Sequence, residues 1–245
     1  MKSRERLNQD AVKLRKKLGF NETVPLDLLN VVLEEFPNIT IIFHPISENT
    51  SGICINKDNV QIICINSDMN ISRRRFTLAH ELYHLLIEKS FKLFVCNDNN
   101  ESNSEKEANI FASFLLMPDE ALKTYIDKNN ITKLNLDNII HLEQYFQIGH
   151  HAMLIRLKQD DHITEVELQE YMNKSIMHES AARGFSTELY AIPQESEYKV
   201  LGKYIKLVNE LAQKDLISPG EQQELLSDAF RLDLIYNLND GDSDE

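Results

Sequence analysis

The stretch His80-Glu81-Leu82-Tyr83-His84 places two histidines four residues apart, with a glutamate directly after the first. Residues four apart on an α-helix lie one above the other on the same face, so both imidazoles can bind one metal ion. The glutamate can then reach a water molecule at the metal and accept its proton. The stretch predicts a hydrolytic metal site with His80 and His84 as ligands and Glu81 as the general base.

The sequence around this stretch favours a helix. Ser72 fits the N-cap position, and residues 73–87 contain no Gly or Pro. Several residues follow the spacing of one buried helical stripe, namely Phe76, Ala79, His80, Tyr83, His84 and Ile87. Both histidines are therefore predicted to face inward among apolar neighbours. The alternative is a pair of core histidines whose nitrogens bond to backbone carbonyls.

A second predicted helix supplies the third ligand that a catalytic zinc site requires. It begins near Glu105 and ends at Pro118, because proline breaks helices. Glu105, Ala108 and Ala112 share one face, and the small alanines would allow a close approach to the histidine helix. Glu105 is therefore the preferred third ligand.

Glu107 is the rival third ligand. The pattern Ser104-x-x-Glu107 is a capping box, which would give Glu107 the role of holding the start of the helix. The pattern Ser102-x-x-Glu105 fits the same motif two residues earlier. Capping alone therefore leaves the choice between Glu105 and Glu107 open. Tyr83 is assigned to packing, and no oxyanion donor is identified.

The run from Arg74 to Leu86, followed by E-x-x-A-N-x-F-A-S-x-L-L-M-P, resembles the ImmA/IrrE family of metallo-endopeptidases. The resemblance covers about residues 10–160. It implies a zinc-dependent peptidase with a zincin-like fold, and the E-x-x-A position of its third ligand falls on Glu105. It also implies a protein substrate, usually a helix-turn-helix repressor, whose cleavage relieves repression in phages, mobile elements or stress responses.

The flanking patterns predict an α+β fold. Helices over residues 5–18 and 25–35 precede strands at 38–44, 52–56 and 60–66, which would form a small antiparallel sheet against the histidine helix. Residues 1–128 are predicted to form the zinc peptidase domain. Residues 129–165 are predicted to form a helical subdomain of helix-turn-helix type, and residues 166–245 a C-terminal helical extension with an acidic tail.

Three segments outside the motifs carry further expectations. Residues 89–104 are predicted to form a polar loop between the two metal-binding helices. His150 and His151 are predicted to be surface histidines at a helix end. The helical pattern from about residue 197 to Leu211, and the helix predicted to begin at Ser218, would form a helical pair that packs on the peptidase, binds a partner or forms a homodimer.

Composition narrows the function classes. The net charge of −13 disfavours nucleic acid as a partner and suits a basic protein substrate. No apolar run reaches transmembrane length, which predicts a cytoplasmic protein with no membrane partner. The three cysteines form no C-x-x-C pair and are expected to be free thiols. Two competing functions are a non-catalytic module that docks on a repressor and has a structural zinc site, and a DNA-binding regulator.

Overall fold

The structure is a computed structural model that describes residues 1–58, 60–88, 102–193 and 198–236, together with the backbone of residues 93–97. The elements up to the second metal-site helix are α1 (Arg4–Lys17), α2 (Leu28–Glu35), β1 (Ile39–His44), β2 (Thr50–Lys57), β3 (Val60–Asn66), α3 (Ile71–Leu82), a π-helical turn (Tyr83–Ile87), β4 (Leu93–Asn97) and α4 (Asn103–Leu116).

The later elements are mainly short helices. They are α5 (Asp119–Lys128), α6 (Leu136–Phe146), α7 (His150–Gln159), α8 (Glu165–Met172), α9 (Ile176–Ala182), a 3₁₀-helix (Glu188–Tyr190), β5 (Lys199–Gly202), α10 (Lys203–Gln213), α11 (Pro219–Asp228) and α12 (Leu232–Tyr236). The predicted α+β class is confirmed. In the part of the chain that is described, no helix is both long and apolar enough to cross a lipid bilayer.

The strands form one sheet in the order β4-β2-β3-β1-β5. The β1–β3 pair is parallel and the other pairs are antiparallel, so the sheet is mixed and the prediction of a wholly antiparallel sheet was wrong in this detail. The cause is the position of β3. It turns back from β2 and lies between β2 and β1, so it runs in the same direction as β1.

Two strands lie where the sequence predicted other structure. Residues 93–97 form β4, which pairs with β2 inside the segment predicted to be a loop; the rest of that segment before residue 102 lies outside the described residues. Val200 and Leu201 were placed in a helix but belong to β5, which pairs with β1. Gly202 then begins α10 with a φ of 85°, and a Cβ there would lie 2.3 Å from the carbonyl oxygen of Ile39. The strand therefore needs glycine at its end.

The core lies between the sheet and the layer formed by α1, α3 and α4. Leu7 and Ala11 of α1 and Phe111 and Leu115 of α4 have no exposed surface. Arg156 joins the later helices to this layer, since its guanidinium donates to the carbonyl oxygen of Met117 at 3.1 Å. The helical segment predicted at 129–165 therefore packs directly against the end of α4, where it can form one wall of a site built on α3 and α4.

Candidate metal centre and cleft

The helix that carries the histidines begins two residues earlier than predicted. Its N-cap is Asn70, whose side chain accepts a hydrogen bond from the backbone N–H of Arg73 at 2.9 Å. Ser72, the predicted cap, is buried and donates its hydroxyl hydrogen to Asn70. The helix is α-helical up to Leu82 and continues as a π-helical turn, so His80 lies in regular helix and His84 in the wider turn. Such turns occur frequently at functional sites.

The structure brings the two predicted histidines and the preferred carboxylate together. Nε2 of His80 lies 3.2 Å from Nε2 of His84 and 3.0 Å from Oε2 of Glu105. Nε2 of His84 lies 3.6 Å from Oε1 of Glu105. All three residues are buried, and they form a group that could hold a metal ion. We call these three residues the metal-ligand cluster.

The spacing within the metal-ligand cluster suits a tetrahedral ion. For bonds of about 2.05 Å, neighbouring donor atoms of a tetrahedron are about 3.3 Å apart. The observed separations of 3.0, 3.2 and 3.6 Å bracket that value. In addition, Oε1 of Glu105 is buried and accepts no hydrogen bond from the described residues. A buried carboxylate oxygen without a donor is costly unless a cation satisfies it, so the residues present fit a divalent metal.

Acceptors behind the two imidazoles orient them. Nδ1 of His80 lies 2.9 Å from Oδ1 of Asn109, and Nδ1 of His84 lies 2.7 Å from Oε2 of Glu88. Each Nδ1 can donate its hydrogen to that acceptor, which leaves Nε2 of the neutral ring to bind a metal ion. Ser104 in turn donates to Oε1 of Glu88 at 2.8 Å. Neither Asn109 nor Glu88 was predicted to contribute, although each lies four residues after a predicted ligand, Asn109 on the same helix and Glu88 at the end of the π-helical turn.

The protonation of the two imidazoles differs. Burial alone would lower the pKa of His80, but the hydrogen bond and charge of Glu105 outweigh it and raise the pKa above its ordinary value. Burial lowers the pKa of His84, and the hydrogen bond that its Nδ1 donates to Glu88 opposes this without reversing it. His84 therefore favours the neutral form, which is the form that binds metal.

Glu107 is engaged away from the metal-ligand cluster. Its carboxylate accepts the hydroxyl hydrogen of Tyr83 at 2.5 Å and the backbone N–H of Lys2 at 2.5 Å. The N-cap of α4 is Ser102, which accepts from the backbone N–H of Glu105 at 3.3 Å. Of the two rival carboxylates, the structure therefore brings Glu105 to the histidines. Tyr83 lies on the side of Glu107, as expected for a packing residue.

Glu81 lies fully buried between α3 and β2. A Cβ atom added at Gly52 of β2 would lie 2.4 Å from Oε1 of Glu81 and 2.7 Å from Cγ2 of Thr77. Only glycine at this position leaves room for the carboxylate. The charge of Glu81 is near enough to His80 to contribute to the raised pKa of that imidazole. The role of Gly52 was missed, although a glycine inside a predicted strand signals a close approach of another group.

A cavity of about 690 Å³ opens on one side of the metal-ligand cluster. His80 and Glu105 line it, together with residues at the start of α7. The start of α7 approaches α3 closely, since a Cβ atom added at Gly149 would lie 2.6 Å from Oγ of Ser72 on α3. Tyr190, from the 3₁₀-helix, also lines the cavity. The cleft is therefore walled partly by residues of the predicted C-terminal extension.

His150 is not the surface residue that the sequence predicted. Its Nδ1 lies 2.6 Å from Oε1 of Glu143, and its Nε2 lies 3.1 Å from the carbonyl oxygen of Tyr171. Oε2 of Glu143, which has no exposed surface, accepts the hydroxyl hydrogen of Tyr190 at 2.6 Å. We call Glu143, His150 and Tyr190 the Glu143 cluster. Only Glu143 gave a sequence signal, as a charged residue between the apolar Leu142 and Phe146 of α6.

Two histidines and a glutamate on adjoining helices, with a second glutamate beside the first histidine and a sheet behind it, form a group that could hold a metal ion. The chain belongs to the Peptidase_M78 family, since the family's IrrE N-terminal-like domain matches residues 34–158, just over half of the 245 residues. The match confirms the resemblance seen in the two motifs. Family membership indicates a peptidase role.

Comparison with other proteins adds little beyond the family. No curated protein matches the sequence. A solved structure, a Mycobacterium tuberculosis transcriptional regulator, is similar with a TM-score of 0.43 and 14% identity, over 63% of this chain and 46% of that chain. The chain thus spans less than half the length of that protein.

Proposed function

We propose that this protein is a zinc-dependent endopeptidase that hydrolyses a peptide bond of a protein substrate. The observation that carries the proposal is the metal-ligand cluster, whose donor atoms lie 3.0–3.6 Å apart beside an open cavity. Two imidazoles and one carboxylate form a donor set that suits zinc, and three protein ligands leave a position for water or substrate.

The residues divide the chemistry among them. His80, His84 and Glu105 would hold Zn²⁺, which supplies a Lewis acid that polarises a peptide carbonyl and acidifies water. Glu81 accepts the proton of the attacking water and passes it to the leaving amine. The Glu81 side chain is buried against Gly52, which restricts the orientation of its carboxylate. Asn109 and Glu88 keep both imidazoles in the tautomer that presents Nε2.

The proposed substrate is a helix-turn-helix repressor in the cytoplasm, cleaved to relieve repression. Support comes from the family and from charge, since a chain with a net charge of −13 suits a basic DNA-binding protein better than nucleic acid itself. The proposal includes no membrane partner. It includes a homodimer through α10–α12, where Leu207, Leu232 and Leu234 are exposed.

The test is the variant Glu81→Gln, incubated with the repressor encoded beside this gene. Wild-type protein should cleave the repressor, and a chelator should stop cleavage. Glu81→Gln should retain zinc and the fold but cleave about 10²–10⁴-fold more slowly, because it removes the general base. The control Glu120→Gln alters an exposed carboxylate on α5 and should cleave at the wild-type rate.

Two outcomes would contradict the proposal. Cleavage by Glu81→Gln at the wild-type rate would contradict the role of Glu81 as the general base. A stable complex of uncleaved repressor with zinc-loaded wild-type protein would instead favour the non-catalytic docking module.

A further inference from the structure

The cavity beside the metal-ligand cluster has an apolar part. His80 and Glu105 are among the residues that line the cavity. The apolar side chains that line it come from five separate elements and are Phe76, Ile110, Ala152, Ile155, Ile176 and Tyr190. All but Tyr190 are half-buried, so they present apolar surface to the cavity while packing against the protein. We call these six residues the apolar subsite.

The apolar subsite adjoins the reactive groups through the helices that carry them. Phe76 lies one helical turn before His80 on α3. Ile110 directly follows Asn109, whose side chain orients His80. A peptide whose scissile carbonyl lies at the metal-ligand cluster would therefore place a neighbouring side chain over these two residues. The subsite is continuous with the proposed reaction centre and not a separate groove.

The far wall of the subsite comes from α7, at the end of the family match, and from the chain beyond it. Ala152 and Ile155 lie three residues apart on α7 and share a face. Ile176 and Tyr190 follow residue 158, where the family match ends. Tyr190 is 7% exposed. The sequence-distant segment is anchored beside α3, because the backbone N–H of Ile71 donates to the carbonyl oxygen of Ala191 at 3.2 Å.

The Glu143 cluster holds this wall in place. The hydroxyl of Tyr190 donates to Glu143, which also accepts from His150 at the start of α7. His150 reaches Tyr171 of α8 through its other nitrogen. The buried carboxylate of Glu143 on α6 thereby connects α7 and the 3₁₀-helix, and His150 connects this group to α8. Because these bonds are made within the chain, the wall is formed before any ligand binds.

We propose that the apolar subsite binds a large aliphatic or aromatic side chain of the substrate, close to the bond that is cleaved. This inference rests on the proposed function for its reaction, but it concerns recognition, which can be measured separately. A concave apolar surface that adjoins a few convergent polar groups is the usual form of a ligand site. Burial of a Leu or Phe side chain there should strengthen binding at least about tenfold relative to Ala.

The test uses zinc-loaded, full-length Glu81→Gln protein and a pool of ten-residue peptides of random sequence. Peptides retained by the protein are sequenced by mass spectrometry. We expect Leu, Ile, Met or Phe to be enriched over Ala about tenfold or more at one position. The variant Ile176→Trp should abolish this enrichment by filling the subsite. The matched control Met177→Trp changes the next residue, which is 46% exposed, and should leave the enrichment unchanged.

The outcomes separate recognition from catalysis. Retained peptides with no apolar preference, or equal loss in the Ile176→Trp and Met177→Trp variants, would overturn the subsite. If Ile176→Trp fails to fold, Ala152→Leu blocks the same space from α7 and replaces it. Apolar enrichment by Glu81→Gln protein, combined with no cleavage of the pool or of the repressor by wild-type protein, would leave the subsite in place and contradict the proposed peptidase activity.

Discussion

Two clusters of histidine and glutamate both contribute residues to the lining of the cleft, and they are built differently. In the Glu143 cluster, both nitrogens of His150 lie against acceptors and both oxygens of Glu143 accept hydrogen bonds. In the metal-ligand cluster, two Nε2 atoms face each other at 3.2 Å, and Oε1 of Glu105 accepts no hydrogen bond from the described residues. The first cluster satisfies its polar atoms within the chain, and the second is a group that could hold a metal ion.

The pairing of polar atoms, rather than the presence of histidine and glutamate, distinguishes the two clusters. Both clusters combine histidine with glutamate, and each contains a residue with no exposed surface, Glu143 in one and His84 in the other. What differs is whether the polar atoms satisfy one another. A cluster with unsatisfied buried polar atoms lowers the stability of the metal-free protein. Proteins retain such destabilising groups at sites of binding or catalysis.

The largest expected effect separates the two clusters by metal content. Zinc-loaded wild-type protein should retain roughly one zinc per chain after dialysis. His80→Ala should retain close to none, because two remaining donors do not complete a site. His150→Ala should retain as much zinc as wild type. The measurement is elemental analysis of the dialysed proteins, and loss of zinc from His150→Ala would contradict the division into two clusters.

The next effect is on stability. Glu143→Ala should lower the free energy of unfolding by about 2–6 kcal/mol, because it leaves the buried hydroxyl of Tyr190 and Nδ1 of His150 without an acceptor, at about 1–3 kcal/mol each. Glu105→Ala should cost less in zinc-free protein, since its Oε1 makes no hydrogen bond within the described residues. Urea denaturation of the zinc-free proteins measures both values. A larger loss of unfolding free energy in Glu105→Ala than in Glu143→Ala would contradict the assignment of Glu143 to a cluster that stabilises the fold.

A smaller effect is expected from the residue that orients His80. Asn109→Ala should weaken zinc binding about 10- to 100-fold, because the imidazole loses the acceptor that fixes its tautomer. Competition with a chromogenic chelator measures the affinity. Asn103→Ala, at an exposed position on the same helix, is the control and should bind zinc as wild type does. Equal affinity of the two variants would show that Asn109 contributes nothing to the site.

The metal-ligand cluster was predictable from sequence because its residues are close along the chain or lie on a strong motif. Helix periodicity places His80 and His84 on one face, and a second motif places Glu105 on the following helix. The choice against Glu107 was not decided by capping patterns. It depends on Tyr83 and Lys2, which bind Glu107 in the folded structure.

The structural features that were not predicted depend on contacts between segments that are distant in the sequence. Local sequence patterns carry no information about such contacts. Val200 and Leu201 fit a helical stripe but form a strand, because β1 offers an unpaired edge more than 150 residues earlier in the chain. The Glu143 cluster joins residues 143, 150 and 190 across several elements in the same way. Gly52 was visible as a glycine in a strand, but its neighbour Glu81 was not.

The smallest expected effect is a pH dependence of stability that comes from the Glu143 cluster. Burial alone would lower the pKa of His150, but the hydrogen bond and charge of Glu143 outweigh it and raise the pKa. The stability gained from protonation is fully present below the unfolded-state pKa of about 6.5, and it is lost as pH rises through the higher folded-state pKa. Wild-type protein should therefore lose stability above about pH 6.5, and Glu143→Gln should lose less.

Urea denaturation of zinc-loaded protein across this pH range measures the difference. Burial and the charges of His150 and Arg73 lower the pKa of His151, so its titration changes with the charge of His150, and the comparison between the two proteins reports Glu143, His150 and His151 together. The same dependence of unfolding free energy on pH in wild type and Glu143→Gln would mean that His150 is neutral in the folded protein. In that case one of its two nitrogens lacks a hydrogen, and the Glu143 cluster would not be complete within the chain.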